Sequence, residues 1–296
     1  MIRILTILIL ICFLYPVKTD AQRWKRTRYE IVYGLGVSNF LGDLGGANKE
    51  GSHFIQDMEL RTTRPTVYLG ARYKIMERLA VKFNLIYGMV SGDDNFSESS
   101  RTPRNLHFRS SIYELSNQYE YSIVREKLSS RYTFSNFRGF RDMSINTFVF
   151  VGFGGFYFNP KANYQGKWYA LQPLGTEGQG LEGEGGKYSR IQLAIPMGIG
   201  FKYGINRKYS FGMEFGIRYT TTDYIDDVST DYYGRDEILA ATGNEIAAYF
   251  SDPREGDPAP AGAQWRGDPK HKDMYMFLIF QLIYKLRTAR NGFPKF

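Results

Sequence analysis

The feature that most constrains this chain is a strict alternation of bulky apolar residues with small or polar ones over long runs. On one run the alternate positions are Ile191, Leu193, Ile195, Met197, Ile199, Phe201 and Tyr203, and on the next they are Tyr209, Phe211, Met213, Phe215, Ile217 and Tyr219. A period of two residues is that of a β-strand, because successive side chains point to opposite faces. Such runs exceed the roughly five or six residues usual in soluble sheets and match the roughly 10 that a tilted strand needs to cross a membrane.

The same alternation, in places weaker, predicts eight strands. They lie at residues 29–37, 67–75, 79–90, 106–123, 147–158, 190–203, 209–220 and 274–286. These strands carry on the order of 40 bulky side chains, whereas an eight-stranded barrel has an interior only just wide enough for side chains to fill, so the bulky face must point outward. We therefore predict an all-β fold, an eight-stranded antiparallel up-and-down transmembrane β-barrel with long external loops.

The face opposite the bulky one is rich in Gly, Ala and Ser and carries a few charges, which predicts a narrow, polar lumen. The charged residues expected to point into it are Glu30, Arg72, Lys82, Arg190, Lys202, Glu214 and Arg218. A tight turn after Ile75 would pair that residue with Leu79. Arg72 would then lie opposite Lys82, with Glu30 on the preceding strand as the expected counter-ion.

The N-terminus has the features of a secretory signal peptide. Residues 4–15 are predominantly apolar, follow Arg3, and give way to a polar stretch that ends in Ala21. This run is about half the ~20 residues that a helix needs to span a bilayer. We expect residues 1–21 to be removed and residues 22–296 to form a barrel in a bacterial outer membrane. Cys12, inside the signal, is the only cysteine, so neither a disulfide nor a lipid anchor is expected.

The charge of the chain limits its partners. Of the formal net charge of +8, residues 1–21 contribute Arg3, Lys18 and Asp20, so the mature chain keeps 36 positive and 29 negative groups, or +7. Such a charge attracts nucleic acid, lipid phosphates and acidic proteins alike. Export favours lipid and acidic proteins, and we predict no nucleic-acid partner.

The lengths of the connections predict the topology, because such barrels have short periplasmic turns and long external loops. The tight turns are residues 76–78 and 204–208, and the long segments 42–64, 92–104, 159–188 and 222–272 then fall outside. One periplasmic connection, residues 124–143, is long and basic. Its cations, Arg125, Lys127, Arg131, Arg138 and Arg141, are candidate docking residues for a periplasmic partner.

Two local features need their own interpretation. Pro196 removes a hydrogen-bond donor in the middle of a predicted strand, which favours a local β-bulge. The proline-rich segment 252–269 reads as a flexible loop.

Several motifs invite a chemical function. Asp223, Asp226, Asp227 and Asp231 could hold calcium or supply the acidic pair of a barrel protease, although a solvated loop closed by Asx-type turns is the favoured interpretation. The histidines are His53, His107 and His271, and Ser110, Ser111 and Glu114 lie near His107, as a lipid- or peptide-cleaving barrel would require. Nothing in the spacing brings these groups together, so we predict no catalytic residue, no metal and no cofactor.

Two further motifs can be explained by a structural role as well as by a functional one. The glycines at 34, 36, 152, 154 and 155 lack the strand-turn-helix context of a dinucleotide loop and fit a crowded lumen. Trp168 and Tyr169, in a Gly-rich segment, could anchor a partner protein or lie at the lipid interface. Both interpretations stay open at this point.

Several longer runs resemble a family of Bacteroidetes outer-membrane barrels, the PorG-like component of the type IX protein secretion system. The runs are 40–46 (FLGDLGG), 104–109 (RNLHFR), 113–115 (YEL), 157–161 (YFNPK), 166–169 (GKWY), 171–180 (LQPLGTEGQG) and 223–229 (DYIDDVS). The resemblance implies a structural subunit that associates with a periplasmic ring formed by a lipoprotein and its partner, and it transfers no catalytic residue. The alternatives are a barrel hydrolase acting on lipid or peptide, and a small channel or adhesin; a channel is disfavoured because eight strands enclose a filled interior.

Overall fold

Eight long strands and two short ones make up the β-structure in the described part of the chain. The structure, a computed structural model, describes residues 23–44, 60–96, 102–126, 145–262, 264–289 and 291–295. The strands are β1 (Tyr29–Leu41), β2 (Arg64–Lys74), β3 (Leu79–Asp93), β4 (His107–Ser122), β5 (Ile145–Tyr164), β6 (Lys167–Ala170), β7 (Ile191–Gly204), β8 (Tyr209–Thr220), β9 (Met274–Thr288) and β10 (Pro294–Lys295). The predicted signal peptide lies outside the described residues.

The long strands close into a barrel. Each pairs antiparallel with the next in the order β1-β2-β3-β4-β5-β7-β8-β9, and β1 pairs with β9 from Tyr29↔Leu286 to Leu41↔Met274. Closure pairs the backbone N–H and C=O groups of the two edge strands, which an open sheet would leave unpaired. The predicted fold class, an eight-stranded antiparallel barrel, is therefore confirmed.

Two helices lie in the connection between β8 and β9. They are α1 (Arg235–Thr242) and α2 (Glu245–Ser251), and the Asn244 side chain caps α2 by accepting from two backbone N–H groups of its first turn. In the residues that the structure describes, no helix is long and apolar enough to cross a membrane.

The bulky face points outward, as the volume argument required. Leu35, Leu115 and Ile191 expose 69%, 65% and 70% of their surfaces around the barrel. Tyrosines border this apolar band at both ends: Tyr29 packs on Tyr73 with ring centroids 5.0 Å apart near the tight turns. Tyr87, Tyr113 and Tyr157 form a row near the long loops, with centroids 5.0 and 6.2 Å apart. Aromatic girdles of this kind border the apolar band of membrane barrels.

The spacing of the girdles fits a membrane. Tyr113 and Tyr121 are eight residues apart on β4. At about 3.4 Å per residue and a tilt near 40°, this corresponds to a height of roughly 20 Å, close to the ~25 Å band of known membrane barrels. We name the barrel end with the tight turns the turn end, and the opposite end the loop end.

The register of the first hairpin is the predicted one. The Ile75 N–H donates to the Leu79 carbonyl at 2.9 Å, and Arg72 pairs with Lys82. The predicted bulge at Pro196 is wrong. The two strands stay in step there, because three residues separate the pair Val151↔Met197 from the pair Gly154↔Ala194 on both strands. Neither strand therefore has an extra residue, and only the two pairs between them are missing. The absent donor is accommodated by this interruption, while Pro196 keeps its partner on β8.

The lumen is predominantly polar in the half near the turn end and predominantly apolar in the other half, which corrects the expectation of a polar interior throughout. The half near the loop end is filled by apolar side chains, among them Phe108, Phe156, Phe158, Tyr275, Phe277 and Ile279, each buried to 2% exposure or less. Close packing also explains the lumen glycines: a Cβ at Gly36 would lie 2.2 Å from the Leu278 carbonyl oxygen.

The loops form a folded cap over the loop end. Leu44, Leu106, Ile225 and Val228 belong to the same hydrophobic cluster as the lumen aromatics. The segment 159–188, predicted as a loop, instead continues β5 to Tyr164 and returns as β6. The segment 252–269, predicted to be flexible, contributes buried Asp252, Ala259 and Arg266 to the cap.

Candidate functional site

Buried ion pairs close the lumen near the turn end. Arg72 lies at the centre, with its guanidinium 2.8 Å from the Glu30 carboxylate and 2.7 Å from that of Glu120. The Lys82 ammonium lies 2.9 Å from Glu120 and also contacts Glu214. These side chains are at most 5% exposed. A carboxylate and a cation removed from water stabilise each other only when paired with good geometry, and each of these charges has at least one such partner.

A second ion pair lies in the apolar half of the lumen. The Arg218 Nε donates to Glu114 Oε2 at 3.3 Å, and the guanidinium carbon lies 4.5 Å from the Phe277 ring centroid. Glu114 also accepts from the Ser116 hydroxyl at 2.7 Å and from the Tyr275 hydroxyl at 3.0 Å. The carboxylate is therefore held by three donors from three strands.

Glu126, just beyond β4, reaches back into the mouth of the barrel at the turn end. Its carboxylate lies 2.9 Å from the Lys74 ammonium, 3.0 Å from Lys202 and 2.5 Å from Lys285. Burial raises the pKa of Glu126, but Lys202 and Lys74 outweigh it and hold the pKa below its ordinary value. The start of the β4–β5 connection is therefore fixed against three strands.

Of the predicted docking cations, Arg125 is described and lies at the turn end. Its guanidinium is 3.3 Å from the Glu77 carboxylate, in the adjacent turn, and both side chains are nearly half exposed. Such an exposed pair contributes little stability and leaves the cation accessible. Lys127, Arg131, Arg138 and Arg141 lie outside the described residues.

Asp223, Asp226 and Asp227 are buried in the cap, so the expectation of a solvated loop is wrong for them, whereas Asp231 is exposed. Asp227 accepts from the Thr176 hydroxyl at 2.5 Å and from the Tyr188 hydroxyl at 2.6 Å. Asp226 accepts from the backbone N–H of Val228 at 3.0 Å, an Asx-type turn, and from that of Leu44 at 3.2 Å. These bonds join separate loops into one unit.

Burial sets the titration of the cap carboxyls. It raises the pKa of Asp227 to about 6, although Arg266 and the two hydroxyl donors lower it. The pKa of Asp226 and of Asp273 is raised well above the ordinary value, by burial and then by the neighbouring carboxylates. Within the described residues, no three His, Cys, Asp or Glu side chains are arranged to hold a metal ion.

The residues around His107 do not converge on one site. His107 Nε2 accepts from the Asn163 backbone N–H at 3.0 Å, and the Ser110 hydroxyl accepts from that of Asn159 at 3.0 Å. Glu114 points into the lumen toward Arg218. Residues 107 and 114 have opposite parity on β4 and therefore face opposite sides of the barrel wall. His271 pairs with Asp268 on the cap surface, and His53 lies outside the described residues.

Trp168 and Tyr169 separate to the two faces of β6. Tyr169 packs into the cap, with its ring centroid 6.0 Å from that of Phe250. Trp168 is 37% exposed and stacks under the Arg109 guanidinium, 3.5 Å from its carbon. The prediction that Arg190 enters the lumen is wrong. Arg190 precedes β7, bonds to the Asn159 side chain and lies over the outward Tyr157 ring, at 5.5 Å.

These features define the class of the protein. A closed eight-stranded barrel with an apolar exterior, two tyrosine girdles and an interior sealed by ion pairs and aromatic side chains is the architecture of an outer-membrane β-barrel. The class alone fixes location and excludes no particular role, since one fold hosts many functions.

A family described as a domain of unknown function (DUF6089) matches residues 180–237. No curated protein matches the chain. Similar solved structures include the attachment invasion locus protein Ail of Yersinia pestis, crystallised with the heparin analogue sucrose octasulfate, at 8% identity and a TM-score of 0.37, covering 88% of this chain and 98% of that one.

Two further structures are alike to a similar degree. Neisserial surface protein A has 7% identity and a TM-score of 0.34, covering 87% of this chain and 96% of that one. A major outer membrane protein of Thermus thermophilus has 11% identity and a TM-score of 0.35, covering 86% and 98%. The fold assignment depends on the closed strand ladder of this chain itself.

Sequence reasoning missed several residues of the lumen network. Glu114 and Glu120 share the inward parity of Ser110 and Ser116 on β4, so the alternation on that strand could have placed them. Lys74 shares the parity of Arg72 in the same way. Glu126 follows the end of its strand, and no local pattern identifies it.

Proposed function

We propose that this chain is a non-enzymatic outer-membrane barrel that anchors a periplasmic partner, as a structural subunit of the type IX protein secretion machinery. The sealed lumen carries the proposal: Arg72, Glu30 and Lys202 close the barrel with ion pairs of 2.7 and 2.8 Å. A blocked interior disfavours transport through the barrel, so we expect partners to bind at its two ends or on its outer wall.

The turn end offers the surface for the partner. Glu126 fixes the start of the β4–β5 connection, and Arg125 begins its run of cations at the membrane border. A basic segment held at a fixed place attracts an acidic surface by long-range electrostatics and orients it. The resemblance to the PorG-like barrels supports a ring lipoprotein and its partner as the proteins that bind there.

Pulldown of the tagged barrel from detergent-solubilised native membranes tests this function. Wild type is expected to recover the periplasmic ring proteins, and Arg138→Glu with Arg141→Glu is expected to release them while heat-modifiable migration of the barrel stays intact. The matched control is Arg207→Glu with Lys208→Glu in the β7–β8 turn, which reverses two charges at the same end. Equal recovery with both variants contradicts docking through the β4–β5 connection, and no ring protein with wild type contradicts the proposed function.

The hydrolase alternative has less support. His107 and Glu114 face opposite sides of the wall, so the candidate acid does not lie beside the candidate base. His107→Ala is therefore expected to leave partner recovery unchanged and to abolish no lipid- or peptide-cleaving activity. Loss of such an activity would favour the enzyme.

A further inference from the structure

A group of cations lies on the outer wall near the loop end. Arg109 on β4 and Lys161 on β5 are directly paired across the strands, and they have the parity of the outward residues Tyr113 and Tyr157. Arg190 lies over the Tyr157 ring on the same outer wall. We name Arg109, Lys161, Arg190 and Trp168 the cationic shelf.

No ion pair within the described part of the chain neutralises Arg109 or Lys161. Like charges placed directly opposite on neighbouring strands repel each other, because their Cβ atoms lie only about 5 Å apart. Neither Arg109 nor Lys161 forms an ion pair with any described carboxylate, whereas the lumen cations Arg72, Lys74 and Lys82 each have two. A paired arrangement of two unneutralised cations is the arrangement that an external anion stabilises.

The Arg109 side chain is pre-oriented for such an anion. Its guanidinium carbon lies 3.5 Å from the Trp168 ring centroid, a cation–π contact that holds the guanidinium over the indole. The rigid fork of an arginine matches the oxygens of a phosphate, and charge-assisted bonds of this kind are the strong ones. Arg190 is held by a hydrogen bond, with its Nη1 donating to Asn159 Oδ1 at 3.2 Å.

The height of the shelf identifies the source of the phosphate. Arg109 lies four residues beyond Tyr113, and Lys161 four beyond Tyr157, on the side of the long loops. At about 3.4 Å per residue and a tilt near 40°, the shelf stands roughly 10 Å above the girdle tyrosines. This is the headgroup layer, and the same strands present Leu115 and Phe153, 65% and 61% exposed, to the acyl chains below.

We propose that the cationic shelf binds the phosphate of a phosphorylated lipid in the leaflet at the loop end, with the acyl chains along the outer faces of β4 and β5. In the loop-outside orientation of the proposed function, this lipid is the phosphorylated glycolipid of the outer leaflet. The site is independent of the turn end, so its failure would leave partner recovery unaffected.

The test uses the full barrel in neutral detergent and lipid A as the probe, with retained lipid counted by native mass spectrometry. Wild type is expected to retain bis-phosphorylated lipid A at least about tenfold better than the dephosphorylated form, as the loss of charge-assisted bonds implies. Arg109→Gln with Lys161→Gln is expected to lose that preference. The control, Arg207→Gln with Lys208→Gln at the turn end, removes the same charge and is expected to keep it.

Two results would overturn the proposal. One is equal retention of the two lipid forms by wild type. This measurement needs no variant, so it tests the proposal even if the shelf variant fails to fold. The other is displacement of lipid A by millimolar inorganic phosphate, which would make the shelf a site for free anions. Heat-modifiable migration confirms that each variant is folded before lipid is counted.

Discussion

Removing the cation from the apolar half of the lumen gives the sharpest test of the interior. In Arg218→Met, the Glu114 carboxylate loses the partner that donates to it at 3.3 Å. Glu114 is fully buried, and breaking one side of a buried ion pair costs about 3 to 5 kcal/mol. Because Ser116 and Tyr275 still donate to the carboxylate, we expect the lower value, about 3 kcal/mol of unfolding free energy.

The double variant separates the ion pair from simple loss of packing. Arg218→Met with Glu114→Gln removes both charges, so it should be less destabilised than the sum of the single variants by about 2 kcal/mol. The assay is urea unfolding of the barrel in phospholipid vesicles, followed by tryptophan fluorescence and by heat-modifiable migration. A cost below about 1 kcal/mol for Arg218→Met, with additive single variants, would refute a desolvated pair in the lumen.

Three further results follow from the same geometry. Phe83→Arg places a charge on the lipid-facing wall, where Phe83 is 58% exposed, and should weaken insertion by about 2 to 4 kcal/mol in vesicle refolding, whereas Phe293→Arg outside the barrel should not. Because burial raises the pKa of Asp227 to about 6, the contribution of this carboxyl to stability is full below about pH 4 and is lost as the pH rises through 6. Over that range, wild type should lose about 3 kcal/mol of unfolding free energy relative to Asp227→Asn. Parallel pH profiles of the two proteins would contradict this. Wild-type barrel in planar bilayers should show no stepwise ion conductance, and regular single-channel steps would contradict the sealed lumen.

The strands could be predicted where their two faces differ most. On β7 and β8 the inward positions are largely glycine or charged, so Gly198, Gly200 and Lys202 make the alternation obvious. Tight turns then fixed the pairing of neighbouring strands, because a three-residue connection leaves one register for Ile75 and Leu79. These local rules were enough for the strand number, the direction of the bulky face and the Arg72–Glu30 pair.

The aromatic half of the lumen could not be predicted in the same way. On β9 both faces are apolar, and the inward Phe277, Ile279 and Ile283 look like their outward neighbours Phe280 and Leu282. Hydrophobicity does not alternate along such a strand, although successive side chains still point to opposite faces. The sequence therefore shows that β9 is a strand without showing what it buries.

The cap depends on contacts between residues far apart in the chain. Arg104 donates to the carbonyls of Asp43 and Arg266, and Arg266 in turn lies 2.9 Å from the Glu177 carboxylate. No spacing rule links these positions, so the sequence predicts a solvated turn at Asp227, whereas the residue is buried among donors from another loop. Contacts between loops, which a local pattern does not contain, determine the burial of this residue.

The distribution of charge explains where this barrel can act. The ion-paired network near the turn end contains five cations and four carboxylates, namely Arg72, Lys74, Lys82, Lys202 and Lys285 with Glu30, Glu120, Glu126 and Glu214. It therefore contributes +1 to a mature net charge predicted as +7, and the Arg218–Glu114 pair contributes nothing. These lumen residues therefore account for one unit of the excess positive charge, and cations outside the lumen attract lipid phosphates and acidic proteins. The proposed lipid and partner binding depends on the cations that lie on the wall and at the turn end, outside this neutralised interior.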